Sequence, residues 1–358
     1  MNPIFKKIIY AVFPLKTQLP VHVLTVLISC FIIITVSAAH ALQIPDSHRK
    51  IAELTIKEIL ECRFENALQT AEFAYATDNK NPIGPVLHLV ALGMRDVDFD
   101  STIDAAAFLR SFERAKTTVD EYEKAHGVSS YSSTLKGFTL GIHASYHLAN
   151  KSYLSAASTG LDAIKLMKEA RELDPANTDV NFFLGLYDYA RADIKKKLWW
   201  VLFWFSGNKQ SGIQQLEAGA KSAALTKTAS LLALSDIYLE QKQPEKSLEI
   251  IDKLKKELPN SRFVMWAEAK YFHNQNMYSE AALVYGKLSE SYGKQPHGTF
   301  NAIVTKNKQA HLHAKAGETA AAVNVCKQIL ERGSDKRANS LLKDTKKLLD
   351  NLSSEGEF

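Results

Sequence analysis

Hydrophobic positions in the C-terminal half of the chain recur with two periods, one of a helical turn and one of about 34 residues. Ser247, Ile251 and Leu254 lie four and three positions apart and are followed by the breaker Pro259. One long period further on, the same places hold Ala281, Tyr285, Leu288 and Gly293. That spacing puts the small and apolar positions on one face of a helix. Upstream of each set, Leu231, Leu234, Ser235 and Tyr238 align with Met265, Glu268, Ala269 and Phe272, which predicts a first helix for each hairpin. A third copy follows an insertion at 293–301, with Ala322, Cys326, Ile329 and Ser334. A hairpin of this size cannot bury its apolar face alone, so neighbours must stack.

The same pattern, less regular, extends toward the N-terminus. Ile51, Leu54, Ile56, Ile59 and Leu60 predict one apolar helix face, and Ala67, Ala71 and Ala74 the small-residue seam of a returning helix. A turn is expected over Asp78 to Pro85 and helix over Val86 to Met94. Asp96 to Ser101 is expected to break that helix, with Ser101 or Thr102 capping the next one to about Ala125. Gly127 to Ser133 reads as polar and flexible, and long helices follow at about 133–149 and 153–173. Asn181 to Ala192 starts a further repeat, with Leu184-Gly185 at a close-packing point. Residues after Asn351 are expected to be disordered. Lengths of this kind predict seven to nine hairpins.

Composition agrees: 46% of the residues are hydrophobic, with only 16 glycines and 10 prolines in 358 positions. Charge changes the picture once it is divided. Lys6, Lys7 and Lys16 are the only charged side chains in residues 1–41, and the remainder holds 41 basic and 39 acidic residues. No basic stripe stands out, which argues against a nucleic-acid partner. The N-terminal lysines precede an apolar stretch, Val23 to Val36, and Ala39-His40-Ala41. That order describes a secretory signal cleaved after Ala41. The stretch over residues 19–39 is also long enough for an uncleaved anchor, and Leu27-Ile28-Ser29-Cys30 resembles a lipobox. All three readings place the body of the protein outside the cytoplasm, in the periplasm or cell envelope, with anchorage to the inner membrane through residues 19–39 as the second of them. The two cysteines of the body, Cys62 and Cys326, make no disulfide framework.

A helical hairpin of about 34 residues is the tetratricopeptide period. The expected fold is all-α: a right-handed superhelical solenoid behind the signal segment. Irregular repeats would occupy 42–225, regular ones 226–336, and a helix with a flexible tail 337–358. In such repeats the first helix lines the concave face at repeat positions 2, 5, 9, 12 and 13. These positions nominate Asp236 and Glu240, then Phe263, Trp266, Lys270, His273 and Asn274, then Asn307, His311 and Lys315 as partner-binding residues. An aromatic beside cations and amides is the composition of interface hot spots. The alternative is a solvated inner face with Trp266 packed against a neighbouring repeat.

Residues 131–292 resemble a group of bacterial exported tetratricopeptide proteins, themselves similar to the eukaryotic tetratricopeptide repeat protein 39 family. The matching pieces are Leu173-Asp174-Pro175, Leu184-Gly185-Leu186-Tyr187-Asp188-Tyr189, the apolar run 198–205, Ser206 to Gly212, and Ala233-Leu234-Ser235-Asp236-Ile237-Tyr238. That family more often shows Gly-Asp-Arg where this chain has Gly207-Asn208-Lys209. The resemblance implies an all-α fold and no enzymatic activity, and brings no biochemical role.

Three further features bear on chemistry. The run Leu198 to Phe205 holds three of the four tryptophans and follows Lys195-Lys196-Lys197. It reads either as a core plug between irregular hairpins or as a membrane-interface element through Trp199, Trp200, Phe203 and Trp204. His143 and His147 share a helix face at zinc-compatible spacing, but no third ligand and no helical metalloprotease motif accompanies them. No nucleophile elbow, phosphate loop, dinucleotide fingerprint or Cys-x-x-Cys pair is present. The sequence therefore predicts a non-enzymatic scaffold without metal or cofactor. Its partner would be a protein or peptide in the groove, and the alternative is a peripheral membrane or lipid-binding role.

Overall fold

The structure is a computed structural model, and it describes residues 44, 46–197, 208–331 and 335–354. Ala41, the segment 19–39 and the aromatic run with Trp199, Trp200, Phe203 and Trp204 lie outside the described residues.

Every regular element among the described residues is helical. Seven hairpins follow in series: α1 (Asp46–Leu60) with α2 (Phe64–Thr77), α3 (Ile83–Phe99) with α4 (Ala105–His126), α5 (Ser130–Ala149) with α6 (Tyr153–Leu173), and α7 (Asn181–Lys197) with α8 (Lys209–Ser222). Then come α9 (Lys227–Glu240) with α10 (Pro244–Glu257), α11 (Arg262–Asn274) with α12 (Tyr278–Gly293), and α13 (Thr299–Lys315) with α14 (Thr319–Glu331). A last helix, α15 (Asn339–Ser354), closes the series. None of these helices is long and apolar enough to cross a membrane.

One backbone device makes the hairpins alike. Cys62, Asp100, Lys151, Lys242, Asn276 and Gly317 each take a positive φ at the turn between the two helices of a hairpin. The next residue donates its N–H to a carbonyl five positions back: Arg63 to Glu58, Ser101 to Asp96, Ser152 to His147, Gln243 to Tyr238, Met277 to Phe272 and Glu318 to His313, all at 2.8–3.1 Å. This is the Schellman closure of a helix C-terminus. It recurs in the irregular N-terminal hairpins as faithfully as in the regular ones. Only one of the six turn residues is glycine, so the sequence barely announces it.

Side-chain caps start several helices. Asp104 accepts from the Ala107 N–H at 2.8 Å, and Ser129 with Ser132 forms a reciprocal capping box. These two caps correct three expectations. Helix α3 runs through Asp96 to Phe99, Asp104 rather than Ser101 or Thr102 caps α4, and Ser130 to Ser133 are helical, with Ser132 and Ser133 buried. At the other end α15 reaches Ser354, and Leu352 is buried, so the helix extends past Asn351.

The stack is held by apolar seams and by polar links between hairpins. Gly185 of α7 and Gly212 of α8 face each other at a close backbone crossing. A Cβ on Gly185 would meet the Gly212 carbonyl oxygen at 2.8 Å, and one on Gly212 would meet that of Gly185 at 2.7 Å. Asn177, after α6, donates to the hydroxyls of Ser130 and Thr134 on α5. Asp179 accepts from the backbone N–H groups of Ala224, Leu225 and Thr226 at the α8–α9 turn. The 3-10 turn at Thr178–Val180 thus joins hairpin three to hairpin five.

The array also closes on itself. Ile59, Cys62, Phe64 and Phe99, from the turn end of hairpins one and two, share a core with Tyr285, Leu288, Tyr292, Ala302 and Leu312 of hairpins six and seven. Leu60 joins Leu231, Leu254 and Val264 beside it. At the centre, Asp98 at the end of α3 meets Arg262 at the start of α11, with Nη2 to Oδ2 at 2.5 Å and Nε to Oδ2 at 2.9 Å. The side chains of Arg262 and Asp98 are 3% and 1% exposed. Tyr292 donates to the Asp98 carboxylate at 3.0 Å, Asn301 donates to its backbone carbonyl at 3.3 Å, and Arg262 lies over the Phe99 and Tyr292 rings. The insertion that precedes the third repeat supplies part of this contact through His297, edge-on to Phe99.

Candidate partner-binding face

First helices of neighbouring hairpins touch along most of the array: α1 with α3, α3 with α5, α7 with α9, α9 with α11, and α13 with α15. The sequence-nominated residues all belong to first helices, and the structure shows what each is doing within the chain.

Adjacent helices along this face pair laterally, in one case at equivalent repeat positions. Asp236 of α9 and Lys270 of α11, one repeat apart, form an ion pair at 2.7 Å with both side chains half-buried. His311 of α13 and Asp344 of α15 meet at 2.6 Å. Asn307 is buried and donates to Asp344 at 3.2 Å and to Thr345 at 3.0 Å. The carboxyl of Asp344 is held below its usual value, first by the hydrogen bond from His311. Glu240 is exposed and accepts from the Tyr189 hydroxyl at 3.2 Å.

The middle set is divided by what it packs against. Trp266 is half-buried, donates Nε1–H to the Tyr292 hydroxyl at 3.0 Å and stands edge-on to Tyr285 at 5.5 Å. Phe263 packs with the core that closes the array. His273 and Asn274 are exposed, and Asn274 donates back to the Lys270 carbonyl at 3.3 Å. Lys315 is exposed, with its ammonium over the Tyr278 ring at 5.6 Å. His273 is held below its usual value by partial burial and then by the charges of Lys315 and Lys308. Asn307 and His311 therefore face the last helix, whereas His273, Asn274 and Lys315 stay open to solvent and Trp266 is partly so.

Some placements were not anticipated from the sequence. Lys308 joins His273 and Lys315, and its ammonium lies over Tyr285 at 5.7 Å. The signal was available: Lys308 and Lys315 are seven apart, hence on one helix face. Elsewhere, Ser111 Oγ lies 2.8 Å from His88 Nδ1 and His88 Nε2 lies 3.3 Å from Glu72, which also pairs with Arg114. Ser111 is 4% exposed inside α4, so this chain of groups braces α2, α3 and α4 against one another. The His143 and His147 rings lie 4.2 Å apart, tilted to each other, beside Phe112, and burial pushes His143 down to about 4. Among the described residues, no group of three or more His, Cys, Asp or Glu is arranged to hold a metal ion. Cys62 and Cys326 are free and buried, and Cys326 fills the packing position that its repeat assigns.

No family model matches the chain, and no curated protein matches it. Solved structures that it resembles include the C-terminal part of a TPR repeat-containing protein from Cytophaga hutchinsonii, at 16% identity and TM-score 0.38 over 82% of this chain and 99% of that one. Human IFIT1, as a dimer with m7Gppp-AAAA, aligns at 14% identity and TM-score 0.39 over 76% of this chain and 68% of that one. The TPR domain of P58(IPK) aligns at 12% identity and TM-score 0.22 over 87% of this chain and all of that one.

Proposed function

We propose that the chain is a non-enzymatic tetratricopeptide-type scaffold that binds a polypeptide along the concave face made by its first helices. The observation that carries this reading is the division of labour on that face. Asp236 and Lys270, and His311 and Asp344, fix neighbouring helices side by side, while His273, Asn274 and Lys315 are left exposed between them. A laterally braced backing that presents exposed polar side chains suits recognition of another chain. Phe263, Trp266 and Asn307 would then shape the face rather than contact the partner with their whole side chains.

The N-terminal segment supports a location outside the cytoplasm, either free after cleavage at Ala41 or held at the inner membrane through residues 19–39. A membrane-surface role is the second reading. It is favoured by Tyr153 and Leu154, which are 54% and 72% exposed on the first turn of α6. They lie at the hairpin-turn end of the array, the end at which α7 finishes just before residues 198–205.

The test is in-cell crosslinking followed by affinity purification, comparing wild type with His273→Ala/Asn274→Ala/Lys315→Ala. These three side chains are exposed, so the variant keeps its fold. One envelope polypeptide captured by wild type and lost in the variant is the expected result. Capture of membrane alone, equal in both, would move the function to the turn end near Tyr153.

A further inference from the structure

Three consecutive helices each place a pair of residues seven apart on one strip. Helix α11 gives Trp266 and His273, α12 gives Tyr278 and Tyr285, and α13 gives Lys308 and Lys315. Lys308 lies over Tyr285 at 5.7 Å and Lys315 over Tyr278 at 5.6 Å. Trp266 stands edge-on to Tyr285 at 5.5 Å, and His273 lies 6.1 Å from Tyr278. Tyr285 is buried and forms a floor, while His273, Lys308 and Lys315 are exposed.

The nearby carboxylates are already engaged. Asp236 pairs with Lys270, Glu318 accepts from Ser279 and meets His313, and Asp344 meets His311 and Asn307. Both ammonium groups therefore rest on ring faces and have no carboxylate among their described contacts. A ring face stabilises a cation only modestly at an exposed site, and it leaves the outward N–H donors open to an anion. Among the described contacts the strip is a pair of oriented positive charges without an ion-pair partner, with an imidazole at its margin.

The spacing selects the anion. Seven helical positions separate Lys308 from Lys315 by about 10 Å. A chain in the polyproline II form repeats every third residue and rises about 3.1 Å per residue, so side chains three apart share a face at about 9 Å. We propose that this strip binds an acidic polypeptide segment carrying carboxylates at every third position, one held by Lys308 and the other by Lys315. The proposal rests on the polypeptide-binding reading above and names its partner's chemistry. A nucleic acid is disfavoured because its charge calls for a broad positive field, and this strip holds two lysines beside a body whose basic and acidic residues nearly balance.

The experiment uses the full chain and labelled nonapeptides, capped at both ends and rich in proline and alanine. One carries Glu at its fourth and seventh places, one carries Gln at both, and one carries Glu at its fourth and sixth. Fluorescence anisotropy should rank the first at least tenfold tighter than the second and severalfold tighter than the third, with affinity falling as salt rises. Lys308→Glu/Lys315→Glu should lose at least tenfold toward the first peptide, and Lys308→Gln/Lys315→Gln should lose less. Lys253→Glu, a reversal at an exposed position of α10, should change nothing. Thermal melts of every variant within a few degrees of wild type keep the loss assigned to binding.

Equal affinity for the Glu and Gln peptides overturns the proposal. If crosslinking still captures a polypeptide through the first-helix face, the broader reading stands without it. If neither peptide binds, while inorganic phosphate or vesicles of anionic phosphatidylglycerol bind and lose that binding in the Lys308→Glu/Lys315→Glu variant, the lysines serve another anion and the proposal also falls.

Discussion

Two ion pairs join an aspartate and a cation across hairpins, and they differ in nearly every other respect. Asp236 and Lys270 stand one repeat apart at equivalent positions, and both remain in contact with solvent. Asp98 and Arg262 lie far apart in the chain, occupy no equivalent positions and are sealed from water. The first kind follows from repetition: a strip of first helices places like positions side by side, and opposite charges there lock their register. The second kind follows from curvature, because stacked hairpins that bend far enough bring distant rims together. Around the buried pair the chain supplies what an isolated buried charge lacks. The carboxylate accepts from two side chains and the guanidinium lies over two adjacent rings. The charge of Asp98 also holds Arg262 above its usual value against the opposing effect of burial.

The comparison breaks most sharply at Arg262. Arg262→Met leaves Asp98 buried and unpaired, and is expected to cost about 3–5 kcal/mol in chemical denaturation. Asp98→Leu/Arg262→Met should recover a large part of that loss, since the penalty belongs to the orphaned charge. A thiol probe sharpens the result. Burial, followed by the charge of Asp98, pushes Cys62 up to about 12, so it should resist labelling in the native chain. In Arg262→Met it should label faster than Cys326, which lies away from the closing contact. Equal rates would mean that the contact opens only with global unfolding.

Gly185→Ala comes next. A methyl there meets backbone at Gly212, which cannot shift as a side chain would, and the expected loss is about 1–3 kcal/mol in the same denaturation assay. Asp96 gives a smaller, pH-dependent effect. Burial raises its carboxyl from the usual 3.8 to about 6, partly offset by the bond it accepts from the Ile103 N–H. The folded chain therefore holds this proton more tightly than the unfolded one. The stabilisation is present below about pH 3.8 and is lost as pH rises through about 6. Asp96→Asn keeps the acceptor, should flatten that window, and should raise stability at neutral pH by about 1–2 kcal/mol. Last, Asp236→Asn should cost about 1 kcal/mol or less by chemical denaturation.

Legibility in the sequence followed the same division. What depended on the repeat period was readable: the helices of hairpins five to seven, the buried role of Cys326, and the one-repeat alignment of Asp236 with Lys270. Gly185 was readable because glycine amid apolar positions marks a close crossing. The Asp98–Arg262 contact was not, because nothing local marks two positions in different hairpins as partners. The boundary at Asp96 to Ser101 misleads for a related reason. Polar Asp96 and Asp98 read as a break, yet one accepts the Ile103 N–H and the other meets Arg262 inside the core. Gly127 to Ser133 reads as polar and flexible only if its serines are taken as solvated. Here the first caps a helix and two of the rest are buried in it. On the candidate face, the register nominated residues without revealing their contacts within the chain, since His311 and Asn307 turn toward a last helix that the repeat count does not include.

The closing contact also sets an order of events in time. Hairpins assemble from neighbours and form early, whereas a contact between Asp98 and Arg262 must wait for the intervening chain and its loop-closure entropy. On a ribosome, hairpins one and two emerge long before residues 262–302 exist to cover them. Until then Ile59, Phe64 and Phe99 remain an uncovered apolar rim, so the growing chain is expected to be vulnerable to aggregation for most of its synthesis and to be relieved only near its end.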